Sequence, residues 1–170
     1  MIIQFASALT ASNSAQDVVS KWLESRGFTV EDLRDDMEAQ KQGVDLRFSK
    51  ASRTYTGEIK LDSHMSRTGN FALEIVSNLS KGTLGCWVSS KADFWFYVDG
   101  VSQVVHIFKP SEVKSVVSAS DKVKWSCSLS STSSKQGEIA YRTISLLVPF
   151  ETVSSTHSYR KHSLNGDETF

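Results

Sequence analysis

The chain has 170 residues, 19 basic and 19 acidic, so its formal net charge at neutral pH is zero. A chain of this length is read as one domain able to bury roughly two-thirds of its unfolded surface. The balanced charge excludes a global basic field, so any site for a polyanion has to be local. Cys86 and Cys127 stand far apart without a Cys-x-x-Cys partner, which argues against structural zinc. No secretory signal and no membrane-spanning run is evident, so a cytoplasmic protein with reduced thiols is expected.

Met1–Leu9 is apolar and reads as a first strand or as an arm packed on the core. Ser12, Asn13 and Ser14 offer N-caps, with Asp17 three residues past Ser14. Ala15, Val18, Val19, Trp22 and Leu23 then follow the period of an amphipathic helix that Gly27 closes. Gln16 borders its apolar stripe and is the polar residue best placed to look into the fold. Phe28–Val30 reads as a short strand, and the acid-rich run from Glu31 to Gln42 as a solvated turn or short helix.

Val44, Leu46 and Phe48 alternate with Asp45 and Arg47, the period of a half-buried strand. In the next alternating run Ile59 and Leu61 share one face while Glu58, Lys60 and Asp62 share the other. Pairing of the two as a hairpin brings Asp45, Glu58 and Lys60 to one side of a sheet. Two carboxylates and an ammonium make a poor core but a suitable site for a hard cation and a phosphate.

Past Asp62 runs a polar loop with a glycine turn signal at Gly69. Phe71, Leu73 and Ile75 alternate, which predicts a strand beside the one carrying Glu58, with Glu74 on its opposite face. Phe94–Val98 is a continuous aromatic and aliphatic run, expected as a strand buried on both faces, and Val104–Phe108 returns after Gly100. Pro110 opens a helix with Val113, Val116 and Val117 on one face. Val123–Ser130 and Ile139–Val148 are expected as an extra C-terminal β-hairpin. Residues 1–150 thus read as one domain and 151–170 as a polar tail, either disordered or an extended arm.

An aspartate followed after a turn by Glu-x-Lys resembles the signature of the PD-(D/E)XK nucleases, here Asp45 and Glu58-Ile59-Lys60, with Val44 in place of the family's proline. The run from Gln16 to Phe28 is similar to the helix that opens phage junction-resolving endonucleases of that superfamily, with Gln16 at a position where a supporting Glu is common. Glu74, then Gly85 through Ala92-Asp93, then the aromatic strand, follow the order of phage nucleases of the same superfamily. The resemblance implies an α/β restriction-endonuclease-like core, a central mixed β-sheet flanked by helices. It implies a Mg²⁺-dependent DNA endonuclease in which Mn²⁺ substitutes, of the junction-resolving or the site-specific homing or restriction type.

In that reading Asp45, Glu58 and the Ile59 carbonyl hold the cation, Lys60 orients water or stabilises developing charge, and Gln16 binds a metal-bound water or a phosphate. His64, Arg67, Lys81 and Lys91 are the candidate DNA contacts, and the C-terminal tail a basic arm on DNA. Trp87 reads either as a base-stacking side chain or as core. Cutting both strands with one centre per chain implies a homodimer or higher symmetric oligomer. The alternative is a catalytically inactive DNA-binding or assembly subunit that keeps the fold. No phosphate-binding Gly-x-x-x-x-Gly-Lys-Ser/Thr loop and no Gly-x-Ser-x-Gly elbow is present.

Overall fold

A computed structural model describes residues 2–119, 126–133 and 138–164, with side chains from residue 11 onward. In chain order the elements are β1 (Ile2–Gln4), α1 (Phe5–Ser25), β2 (Thr29–Asp32), α2 (Met37–Lys41), β3 (Leu46–Lys50) and β4 (Arg53–Asp62). There follow α3 (Met65–Thr68), β5 (Asn70–Asn78), a single 3₁₀ turn at Leu79–Lys81, β6 (Thr83–Leu84), α4 (Cys86–Ser89), β7 (Phe94–Asp99) and β8 (Val104–Phe108). The chain continues with α5 (Pro110–Ala119), β9 (Ser126–Ser133), β10 (Ile139–Pro149), α6 (Phe150–Ser154) and β11 (Arg160–Ser163).

The architecture is α/β, with a mixed central sheet and flanking helices. The central sheet has six strands in the order β11-β8-β7-β4-β3-β2, and only β4 and β7 pair in parallel. A second sheet, in the order β1-β9-β10-β5-β6, holds the predicted C-terminal hairpin as the antiparallel pair β9–β10. The part of that prediction before Ser126 lies outside the described residues.

Alternation along each strand of the central sheet divides the core in two. Leu46, Phe48, Ile59, Phe96, Val98 and Val105 pack on Ala15, Val19 and Leu23 of α1. Trp95, Tyr97 and Phe108 point the other way, onto Phe71 and Leu73 of β5 and Leu146 and Val148 of β10. The layers are therefore helix, sheet, sheet.

Three expectations change. First, β5 does not adjoin β4 but pairs with β10 and β6 in the second sheet. Alternation fixes which face of a strand is apolar and is silent on its hydrogen-bond partner. The turn of α3, closed by Gly69 at φ +67°, carries the chain off the central sheet, and Phe150 N–H bonds to the Gly69 carbonyl. Second, α1 starts at Phe5, so the cap candidates Ser12, Asn13 and Ser14 lie within the helix, with Ser12 and Ser14 exposed. Third, residues 151–164 form α6 and β11, and β11 pairs along β8 from Arg160 opposite Ile107 to Ser163 opposite Val104. Buried Val153 and half-buried Tyr159 tie this segment to the core, which its polar composition conceals.

Candidate active site

The site is built on β4. Ile59 and Leu61 belong to the α1 side of the sheet, so the intervening Glu58 and Lys60 face the second sheet. The parallel register sets Glu58 beside Trp95 and Lys60 beside Tyr97, both fully buried. An ionisable pair is thereby placed in an aromatic wall.

Glu58 is 4% exposed. Its Oε1 accepts the Lys60 ammonium at 2.6 Å, while Oε2 is buried without a hydrogen-bond partner. Burial raises the Glu58 carboxyl above its ordinary range, Lys60 opposes this, and the charges of Asp45 and Glu74 add to the rise. Burial disfavours the Lys60 ammonium, but Glu58, with Cys86 and Glu74 near by, outweighs it and holds the pKa well above the ordinary lysine value. A buried carboxylate oxygen left without a donor is costly, and the backbone makes room for it. Gly43 has φ +63°, and a Cβ there would sit 2.9 Å from Glu58 Oε2.

Asp45 does not belong to β3 as predicted but precedes it, and its N–H bonds to the Gly57 carbonyl at 2.8 Å. This offset releases the side chain to turn toward β4, where Oδ2 accepts the Ile59 N–H at 2.7 Å. A strand residue presents its N–H and C=O to the same edge, so the Ile59 carbonyl shares the edge that Asp45 covers. Gln16 is 6% exposed, and its amide donates at 2.8 Å to the Asp45 carbonyl and at 2.8 Å to Asp32 Oδ1. It fixes the backbone of Asp45 and ties α1 to β2. Arg34 completes this support by pairing with Asp32 and Asp17.

Asp45, Glu58, Lys60, Ile59 and Gln16 are thus gathered by the fold. The predicted DNA contacts are dispersed. His64 precedes α3, its N–H bonded to Asp62 Oδ1 at 2.7 Å, and Arg67 is exposed on α3. Lys81 is exposed at the tip between β5 and β6, and exposed Lys91 bonds through its N–H to the Gln42 carbonyl. Trp87 is half-buried against the core, edge-on to Trp95 at 5.8 Å between centroids. Both cysteines are free thiols, Cys86 buried and Cys127 exposed, and burial pushes the Cys86 thiol up to about 12. Sequence reasoning missed Gln40, whose amide lies 3.2 Å from Asp45 Oδ1.

Among the described residues, no group of three His, Cys, Asp or Glu side chains has metal-binding geometry. The smaller donor set of two carboxylates and a carbonyl still fits a hard cation on one count. Glu58 offers a buried oxygen with no internal donor, beside the close approach of Gly43 and Ser90. No family model, no curated protein and no solved structure matches the chain.

Proposed function

We propose that the protein is a Mg²⁺-dependent DNA endonuclease with a restriction-endonuclease-like core. The observation that carries the reading is the buried Glu58 carboxylate, with one oxygen on Lys60 and the other without a partner, in electrostatic reach of Asp45. Asp45, Glu58 and the Ile59 carbonyl hold the cation, and Mn²⁺ substitutes for Mg²⁺. The cation, when bound, relieves charge on a phosphodiester and acidifies a water.

The protein's own groups supply the rest. Lys60, held protonated, places a fixed positive charge where negative charge develops on the phosphate. Trp95 and Tyr97 flank its stem, and the side chain, 28% exposed, stays open to a phosphate arriving from solvent. Gln16 sets the backbone of Asp45 and acts by positioning. His64, Arg67, Lys81 and Lys91 contact the DNA backbone, and two copies pair to cut both strands. Junction-resolving and site-specific cutting both suit this site.

Incubation with supercoiled plasmid and with a four-way junction in Mg²⁺, Mn²⁺ or EDTA tests the reading. Metal-dependent cleavage that Asp45→Ala abolishes is the expected result. Equal cleavage by wild type and Asp45→Ala overturns the assignment.

One observation favours a second reading, an inactive subunit that binds DNA and keeps the fold: Lys60 already neutralises Glu58 at 2.6 Å. DNA binding without nicking of any substrate selects that reading.

A further inference from the structure

The geometry points to Gln40 as the residue that positions the Asp45 carboxylate for a divalent cation, an inference that rests on the cation site proposed above. Gln40 lies on α2, a segment whose register is fixed at both ends. Asp36 Oδ1 caps its start, accepting the Glu38 and Ala39 N–H groups at 2.9 and 3.0 Å. The Gln42 and Gly43 N–H groups bond back to the Ala39 and Gln40 carbonyls at its end. From that fixed base the Gln40 amide nitrogen reaches the Leu33 carbonyl at 3.3 Å, the Val44 carbonyl at 3.2 Å and Asp45 Oδ1 at 3.2 Å.

A primary amide has two hydrogens, so these three acceptors share them. Two of the acceptors are main chain and close the loop between β2 and β3. The third is the carboxylate. Oδ2 of that carboxylate is held independently by the Ile59 N–H at 2.7 Å. Each Asp45 oxygen therefore has one donor, from α2 on one side and β4 on the other, and each keeps a lone pair for a cation. A ligand whose two oxygens are both steered does not have to be ordered when the cation arrives. Groups that hold a ligand in this way change metal affinity by ~10–100-fold when removed.

A purely structural role for Gln40 would lower the thermal midpoint of its variants and leave the cation affinity of the folded protein unchanged. Titration of the full chain with Mn²⁺, reading free Mn²⁺ by electron paramagnetic resonance, separates the two. Gln40→Met removes both donors at similar length, and Gln40→Ala removes them together with the side chain. Either variant, folded, is expected to bind Mn²⁺ ~10–100-fold more weakly than wild type, and Asp45→Asn more weakly still. Should Gln40→Met fail to fold, Gln40→Ala carries the test. Wild-type affinity in the folded Gln40 variants, with binding lost in Asp45→Asn, overturns the role of Gln40 and leaves the cation site standing. No Mn²⁺ binding by wild type, or wild-type binding by Asp45→Asn, overturns the cation site and the role of Gln40 together.

Discussion

Two carboxylates are buried on adjacent strands of the central sheet, Glu58 on β4 and Asp99 on β7, at 4% and 2% exposure. Asp99 accepts the Val101 N–H at 2.9 Å, the Ser102 hydroxyl at 2.7 Å and the Ser66 hydroxyl. Burial works to raise its pKa, but these hydrogen bonds prevail and hold it below the usual carboxylate range. At Glu58 the balance goes the other way. One ammonium serves one oxygen, the second oxygen has no donor, and burial prevails. The contrast teaches that burial alone does not set a carboxylate's state; the donors that reach its oxygens do. Asp99 organises the turn at Gly100 through three donors, and Glu58 keeps one oxygen without a partner among the described residues.

The largest effect expected from this contrast is on chemistry. Lys60→Ala removes a preorganised cation and should cut the cleavage rate by ~10²–10³, or about 3–4 kcal/mol, while DNA binding in a gel-shift assay persists. Loss of binding in step with cleavage would make Lys60 a binding residue and break the comparison.

A pH effect follows at a third buried polar group. His106, 2.8 Å from the Tyr159 hydroxyl, has its pKa lowered from 6.5 to about 4 by burial and then by Lys161. The unfolded chain takes up the proton near pH 6.5 and the folded chain does not, so stability falls as the pH drops toward about 4. The loss amounts to about 3 kcal/mol at most. Urea midpoints should therefore fall more steeply on acidification in wild type than in His106→Gln; parallel profiles would refute it.

Asp99→Ala removes a charged acceptor from three donors and should cost about 2–3 kcal/mol in urea unfolding, with cleavage by the folded variant retained. Glu58→Gln keeps an acceptor for Lys60 and removes the burial penalty of a charge. Its stability should fall by about 1–2 kcal/mol, less than the ~3–5 kcal/mol of breaking a fully buried pair, because the Lys60 side chain that loses its counter-charge is 28% exposed. If Glu58→Gln proved the more damaging of the two to stability, Glu58 would be the structural group and the contrast would reverse.

The hairpin of β3 and β4 was legible because Ile59 and Leu61 against Glu58 and Lys60 is a period-2 pattern over a paired segment. The α1 stripe through Ala15, Val19 and Leu23 was legible for the same reason at helical period. Which strands lie side by side was not. Phe71 and Leu73 mark an apolar face, and that face serves equally in the central sheet or against it. At the site, the helical period turns Gln16 inward, but its acceptor Asp32 comes from a different element and no spacing encodes it. Gln40 was hidden in a charged run that reads as solvated surface. Its reach to Asp45 depends on the left-handed turn at Gly43, and a single glycine after a short polar helix is too common a signal to single it out.

The parallel pairing of β4 with β7 carries a kinetic consequence. Between them the chain must lay down α3, β5, β6 and α4, all of them outside the central sheet. Pairing Lys60 with Tyr97 therefore closes a long loop before its contacts repay the lost entropy. Glu58 and Lys60 can leave water only once that loop has closed. The charged centre should be among the last parts of the chain to dehydrate during folding, and chains caught short of that step would carry a solvated pair instead.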